Sequence, residues 1–284
     1  MTGFRGRLKD SNGLTFVGAP SALAAKLIER HGFDGVYLSG AGLAMNTHGV
    51  PDDGTITLEQ VAANARIVCA ATSLPAIVDA DTGFADGPDV SACIDALEAA
   101  GAAAIQIEDQ VSAKTCGHLE GKQLVPLELM ADKVRSAVAA RRNPELAIVA
   151  RTDARGVTGY ADALSRARAY REAGADLIFI ESPESAEEFR RFAEECPGPL
   201  MANMTEFGKS PLLDRAQLAD YGYTVVIYPV TLLRVMMATA DEALAALRRD
   251  DHQRALLPGM WTRKQLYDAI GYDEPVPDPP RAPA

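Results

Sequence analysis

Cysteine is scarce in this chain. The four residues Cys69, Cys93, Cys116 and Cys196 lie far apart with no Cys-x-x-Cys spacing, which suggests neither a disulfide framework nor a thiolate zinc site. Basic residues are in deficit, 28 Lys and Arg against 39 Asp and Glu, and the net charge of -11 would repel nucleic acid and anionic membranes. Any binding of an acidic substrate therefore needs local cations or a metal. Long apolar runs are missing as well: none reaches the roughly 18 residues that cross a bilayer, and Met1 to Leu8 lacks the apolar stretch of a signal peptide. A cytoplasmic location is expected. No glycine fingerprint of the dinucleotide type follows a strand, since Ser39-Gly-Ala-Gly42 is too short for it.

What the sequence has is rhythm. Its 284 residues are 48% hydrophobic, enough for a sizeable core. Eight short β-type runs, at 14–18, 35–38, 76–79, 103–107, 146–150, 176–180, 199–202 and 224–228, each end in polar or Gly residues. Segments with apolar residues three and four apart lie between and after them, at 21–30, 58–71, 90–99, 127–141, 161–172, 186–195 and 212–221, followed by a long Ala/Leu-rich stretch at 232–249 and a short one at 261–272. Strand and helix in strict alternation imply a parallel sheet with right-handed crossovers, and eight units close a (β/α)8 barrel, with an open doubly wound sheet as the alternative. One α/β barrel domain over residues 1–273 is expected, followed by a Pro-rich tail at 274–284 that cannot pack.

The residues at the carboxyl ends of the proposed strands are polar: Ser39, Asp79 and Asp81, Glu108 and Asp109, Arg151 and Asp153, Glu181, Asn203 and Thr205, and Tyr228. In a barrel they share one bowl. Asp79-Ala-Asp81 ends an apolar strand in two acids, whose repulsion calls for a cation unless they simply cap a helix. With Glu108 beside them, hard oxygen donors and no paired imidazoles favour Mg2+ or Mn2+ over Zn2+, a set that suits chelation of a 2-oxo or 2-hydroxy acid. Arg151 offers a planar fork to a substrate carboxylate, or an ion pair to Asp153 or Glu181. The stretch 105–118 runs from an apolar strand through Glu108 and Asp109 to Lys114-Thr-Cys116-Gly-His118, where the flanking cations would lower the thiol pKa toward one useful in proton transfer. Cys69, Cys93 and Cys196 lie in helix-like surroundings and read as inert thiols.

These motifs, in this order, resemble the isocitrate lyase and phosphoenolpyruvate mutase superfamily. The likeness extends from Gly18 to about Tyr272 and rests on Tyr37-Leu-Ser39-Gly-Ala-Gly42, Gly49-Val-Pro51-Asp52, Asp79-Ala-Asp81-Thr-Gly83, Ile107-Glu-Asp109-Gln110, Lys114-Thr-Cys116-Gly-His118, Arg151-Thr-Asp153, Asn203-Met-Thr205-Glu-Phe-Gly208 and Tyr228-Pro229. It implies a modified barrel, a last helix swapped onto a neighbouring subunit, usually in a homotetramer, and a small di- or tricarboxylate substrate. Asp81 would bind Mg2+ directly, with Asp79, Asp52 and Glu108 reaching it through water or hydrogen bonds. Ser39, Gly40 and Ala41 would hold the 2-oxo acid carboxylate and Arg151 the substrate, while Gly117, His118, Glu181, Asn203 and Thr205 would grip the second carboxylate. Phe179, Ile227 and Pro229 would wall the apolar part of the pocket. Cys116 would be the general acid, and Tyr37 or a water activated by the metal the base. Lys-x-Cys-Gly-His looks like the lyase loop, and 205–208 is most similar to 2-methylisocitrate lyases of propionate breakdown. Leu119-Glu-Gly-Lys122 departs toward relatives acting on dimethylmalate, oxaloacetate or carboxyphosphonoenolpyruvate, so another diacid lyase or hydrolase, or a phosphonate-forming mutase, stays open.

Overall fold

In a computed structural model, which describes residues 3–11, 13–112 and 121–272, eight parallel strands close into a barrel in sequence order. They are β1 (Leu14–Gly18), β2 (Gly35–Leu38), β3 (Ala76–Asp79), β4 (Ala104–Glu108), β5 (Ala147–Thr152), β6 (Leu177–Ile180), β7 (Leu200–Asn203) and β8 (Val225–Tyr228). Every expected strand is present, and the ends carry the lesson. β4 and β7 take in the polar residues Glu108 and Asn203 before which the sequence pattern ended them, and β5 runs past Arg151 to Thr152. The ladder continues because backbone pairing, Glu108 opposite Arg151 for example, is indifferent to side-chain charge once the two charges can pair.

The helices in chain order are α1 (Phe4–Asp10), α2 (Ala22–Arg30), α3 (Gly40–Leu43), α4 (Leu58–Cys69), α5 (Ser91–Ala99), α6 (Leu127–Ala140), α7 (Tyr160–Glu172), α8 (Ala186–Glu195), α9 (Arg215–Tyr221), α10 (Thr231–Asp250) and α11 (Arg263–Ile270). Side-chain caps set several starts. Ser21, Ser185 and Asp214 accept the amide three residues on, and Thr57 and Gln60 form a reciprocal capping box. Asp214 explains why α9 begins three residues later than its apolar spacing suggests. The sequence pattern did not mark α1 or α3. α1 is seven residues long with only Phe4 and Leu8 buried, so it depends on closing the lower end of the barrel, where Phe4 packs on Phe16 at 5.3 Å between ring centres.

Outside the strands lies one large apolar layer against the helices, and inside lies a smaller one. The inner layer starts with Leu14, Phe16, Ile77, Ala104, Ala147, Leu177, Met201 and Val225. Period-two alternation then carries the same inward faces up to Asp79, Gln106, Glu108 and Arg151. α10 differs from its peers: of its 20 residues only Leu233 and Ala246 are buried, and Val235, Met236, Met237, Leu244 and Leu247 are exposed. None of α11 is buried. Among the described residues no helix is long and apolar enough to cross a membrane.

Candidate active site

A cavity of about 120 Å3 opens at the carboxyl ends of the strands. Its wall takes in Tyr37, Ser39, Ala41, Asp52, Asp79, Glu108, Arg151, Phe179, Glu181, Asn203, Thr205, Ile227 and Pro229. Thirteen positions picked from sequence therefore meet in one space. Asp81 borders an adjoining recess with Thr82, Phe84, Asp86 and Ser112. Gly40 separates the two acids: a Cβ there would lie 2.9 Å from Asp81 Oδ1 and 3.4 Å from Asp79 Oδ2, which explains why glycine occupies that position. Cys116, Gly117 and His118 lie outside the described residues.

Asp79, Asp81 and Glu108 are all buried. The Gly40 amide donates to the Asp79 carboxylate at 3.3 Å, and the Asp81 carbonyl accepts from the Glu108 amide at 2.8 Å, so the Asp79–Asp81 segment is tied to the start of α3 and, through backbone, to the end of β4. Among the described residues, no three acidic, histidine or cysteine side chains converge closely enough to enclose a bare cation. An all-oxygen, loosely gathered set of this kind fits a hydrated Mg2+ or Mn2+, which keeps several waters and takes one or two carboxylates directly.

Arg151 is both a wall of the cavity and the centre of a buried ion cluster. Its Nε and Nη2 donate to the two carboxylate oxygens of Asp153 at 3.0 and 3.1 Å, with Glu108 at 3.3 Å and Glu181 at 3.5 Å, and its guanidinium lies 5.2 Å from the Phe179 ring centre. Burial opposes its charge, but Asp153, Glu108 and Glu181 outweigh that and hold it protonated well above the ordinary range. Of the two readings of Arg151 from sequence, the ion pair is present, and the same side chain also lines the cavity. Lys122 is buried and donates to Asp153 at 3.0 Å. Asn203 donates to Glu181 at 3.3 Å and accepts from the Thr205 amide at 3.0 Å, which arranges those three in sequence along the far wall.

Two expectations of a shared bowl change: Tyr228 is absent from the cavity wall and borders a groove with Val17, Ile28 and Leu232, and Asp109 is the other. Asp109 does not share the bowl with Glu108, because adjacent strand residues point to opposite faces. It sits outside the barrel wall, fully buried, accepting from Thr152, the Asp153 amide, Arg166 and Tyr170 at 2.7, 2.9, 3.2 and 2.8 Å. Burial, then Asp153, push its carboxyl upward. The Tyr37 hydroxyl, expected as one of two candidate bases, donates to Gln106 at 3.0 Å, and burial followed by Asp79 raises its pKa well above the usual phenol value. Burial pushes the Cys93 and Cys69 thiols up to about 12 and about 11.

Sequence reasoning missed other participants. Met45, Val230 and Arg234 also line the cavity. Met45 belongs to a single π-helical turn, Ala44–His48, that follows α3, a local distortion frequent near functional sites. Lys133 on α6 is fully buried and ties down the loop after Asp81, donating to the Thr82 and Ala85 carbonyls at 2.8 and 2.7 Å. That loop needs fastening, since Asp81, Gly83 and Phe84 all have left-handed backbone, with φ of 48, 84 and 55 degrees. The signal was present: Lys133 lies on the apolar stripe of Met130, Val134 and Ala137.

The phosphoenolpyruvate phosphomutase family model matches residues 4–248. The chain belongs to this family. It is 46% identical over 257 residues to a 2-methylisocitrate lyase of Aeropyrum pernix, covering 90% of this chain and 82% of that one. Among solved structures it resembles a 2,3-dimethylmalate lyase described as a PEP mutase/isocitrate lyase superfamily member, with TM-score 0.89 and 34% identity over 96% of this chain and 93% of that one. A phosphonopyruvate hydrolase in complex with oxalate and Mg2+ matches with TM-score 0.84 and 30% identity over 94% and 93%.

Proposed function

We propose that this protein is a divalent-metal-dependent carbon-carbon lyase of the cytoplasm that cleaves 2-methylisocitrate to pyruvate and succinate. The observation that carries this reading is the single cavity joining Asp79 and Glu108 to Arg151, Glu181 and Asn203, with an apolar wall of Phe179, Ile227 and Pro229 able to face a methyl group. The likeness to a 2-methylisocitrate lyase over nine tenths of the chain supports the choice of substrate.

Asp81 would bind Mg2+ or Mn2+ directly, with Asp79, Glu108 and Asp52 ordering its waters. When bound, the cation supplies polarisation of the substrate's carboxylate and 2-hydroxyl, lowering the pKa of the latter. Ser39, Gly40 and Ala41 hold the carboxylate next to the hydroxyl, and Arg151 neutralises the substrate's charge in a site its own ion pairs have already ordered. Tyr37, its proton given to Gln106, accepts from the substrate's 2-hydroxyl to orient it and stays neutral; water in the cavity takes the proton. The C–O bond becomes the carbonyl of pyruvate, and the C–C electron pair passes to the succinate fragment. Asn203 and His118 stabilise the charge there, with Glu181, Thr205 and Gly117 positioning the distal carboxylate. The Cys116 thiol protonates that carbon and the bond cleavage is complete. Cleavage of 2,3-dimethylmalate is the second reading, favoured by the matched lyase structure and by Leu119-Glu-Gly-Lys122.

We also infer a homotetramer with exchanged terminal helices. The exposed apolar residues of α10 support it, as does an apolar groove outside β1 and β8 bordered by Val17, Leu27, Ile28, Phe33 and Leu232. Sedimentation equilibrium at micromolar concentration should give four chains per particle, and a monomer would remove this inference.

A coupled assay of 2-oxo acid release with Mg2+ tests the activity, offering 2-methylisocitrate, isocitrate, 2,3-dimethylmalate and oxaloacetate. Preference for 2-methylisocitrate, abolished by EDTA, is expected; preference for dimethylmalate transfers the assignment to the second reading. Cys116→Ser should abolish turnover while sparing substrate binding, and near-normal turnover would remove the thiol from the acid role.

A further inference from the structure

Gln106 stands in the middle of β4, faces the barrel interior and is completely buried, and it is absent from the cavity wall. Its side chain joins two residues that do line the cavity. The Tyr37 hydroxyl lies 3.0 Å from Gln106 Oε1, and Gln106 Nε2 lies 3.0 Å from Asp79 Oδ1. The direction of these bonds is dictated by chemistry. A carboxylate only accepts, so the amide must turn its NH2 to Asp79 and its carbonyl to Tyr37. Tyr37 must then donate, and its single proton is committed to Gln106.

We propose that Gln106 is a positioning residue that aims Tyr37 and Asp79 together: it draws the phenol proton away from the cavity, so that the Tyr37 oxygen meets the substrate as a hydrogen-bond acceptor, and it fixes the rotamer of Asp79. This rests on the lyase reading above. The substrate's 2-hydroxyl then donates to Tyr37, which orients the hydroxyl hydrogen while no proton is transferred to the phenol. The amide has no second use in this position. An apolar residue would fill the space in a barrel whose lower inward positions are apolar, and the glutamine earns its place only through its two ends.

The test compares wild type with Gln106→Leu, Gln106→His, Tyr37→Phe and the double variant Tyr37→Phe/Gln106→Leu. Mn2+ binding to the metal-free proteins is measured by electron paramagnetic resonance, and kcat and KM on whichever acid the wild type cleaves. Gln106→Leu should weaken Mn2+ binding about tenfold and lower kcat about 10- to 100-fold, the range for residues that orient a metal site from behind, with KM changed less than about threefold. Tyr37→Phe should leave Mn2+ binding unchanged, and the double variant should match the kcat of the slower single variant, well short of the product of the two losses, because both break one chain. Gln106→His should recover most of the loss, since neutral imidazole also has one donor and one acceptor end. Unchanged Mn2+ binding in a folded Gln106→Leu protein, or kcat losses that multiply in the double variant, would overturn the proposal. If Gln106→Leu does not fold, Gln106→Asn, whose amide falls one methylene short of its partners, replaces it with the same expectations. If the wild type cleaves none of the acids, the proposed function falls, and the Mn2+ comparison still decides the role of Gln106.

Discussion

The inside of this barrel has two halves built on the same strands and equally hidden from water. In the lower half, Leu14, Phe16, Ile77, Ala104, Leu177 and Val225 fill the space by volume. In the upper half, two residues further along the same faces, Asp79, Gln106, Glu108 and Arg151 fill it with charge and hydrogen bonds. The lower half can tolerate exchange among apolar side chains of similar size. The upper half cannot, because each charged group depends on its neighbours to offset desolvation, and a partner removed leaves a buried charge exposed to the low-dielectric interior. Apolar volume fills the lower half and paired polar groups the upper, and the boundary between them is a single step of the strand pleat.

The strongest way to break the upper half is Arg151→Met. It strands Glu108, Asp153 and Glu181 together, and should cost about 3–5 kcal/mol of stability. Turnover should fall by about 100- to 1,000-fold at temperatures where the variant is still folded; urea denaturation and steady-state kinetics measure the two effects. Phe16→Ala attacks the lower half. It should cost about 3–5 kcal/mol as well, yet leave turnover per folded molecule near wild type, and a large kinetic loss would mean that the halves are not separable. Lys133→Met sits between the two, outside the barrel but under the Asp81 loop. Releasing the Thr82 and Ala85 carbonyls should weaken Mn2+ binding about tenfold with a small drop in melting temperature, read by paramagnetic resonance and calorimetry.

The smallest effect should come from the outer surface. Asp162 accepts from Arg166 at 2.9 Å and Thr158 at 2.5 Å. Burial pushes its carboxyl up, but the bonds from Thr158 and Arg166 prevail and hold it below its ordinary value. Its stabilising contribution is therefore complete above the unfolded carboxylate range near pH 4 and is lost as pH falls through the lower folded value. Asp162→Asn should cost about 0.5 kcal/mol at neutral pH, with the gap to wild type closing in acid. A gap that widened in acid would contradict the sign.

Much of this molecule was legible before folding. Alternation of β-branched runs with helical spacing implied eight parallel strands, and the polar residue closing each run pointed to the bowl. The strand ends were less legible at Thr152 and Asn203, because hydropathy stops at a polar residue whereas the hydrogen-bonded ladder does not. Asp109 misled for a related reason: a string of letters shows two adjacent acids, and only the pleat sends one inward and the other out. Gln106 and Lys133 were visible as polar residues out of place in apolar patterns, but nothing in their neighbours along the chain names their partners, which lie 27 residues and more away.

Sequence alone determined the barrel, the family and the inventory of donors, since periodicity and residue type are local properties that each segment carries with it. Tertiary structure alone decided which donors meet. It joined Arg151 to Asp153, Glu108 and Glu181 in one cluster, and it committed the Tyr37 proton to Gln106. It also left the apolar side chains of α10 uncovered. Pairing energies depend on distance and on exclusion of water, and both are set only when strands remote in sequence close into a ring.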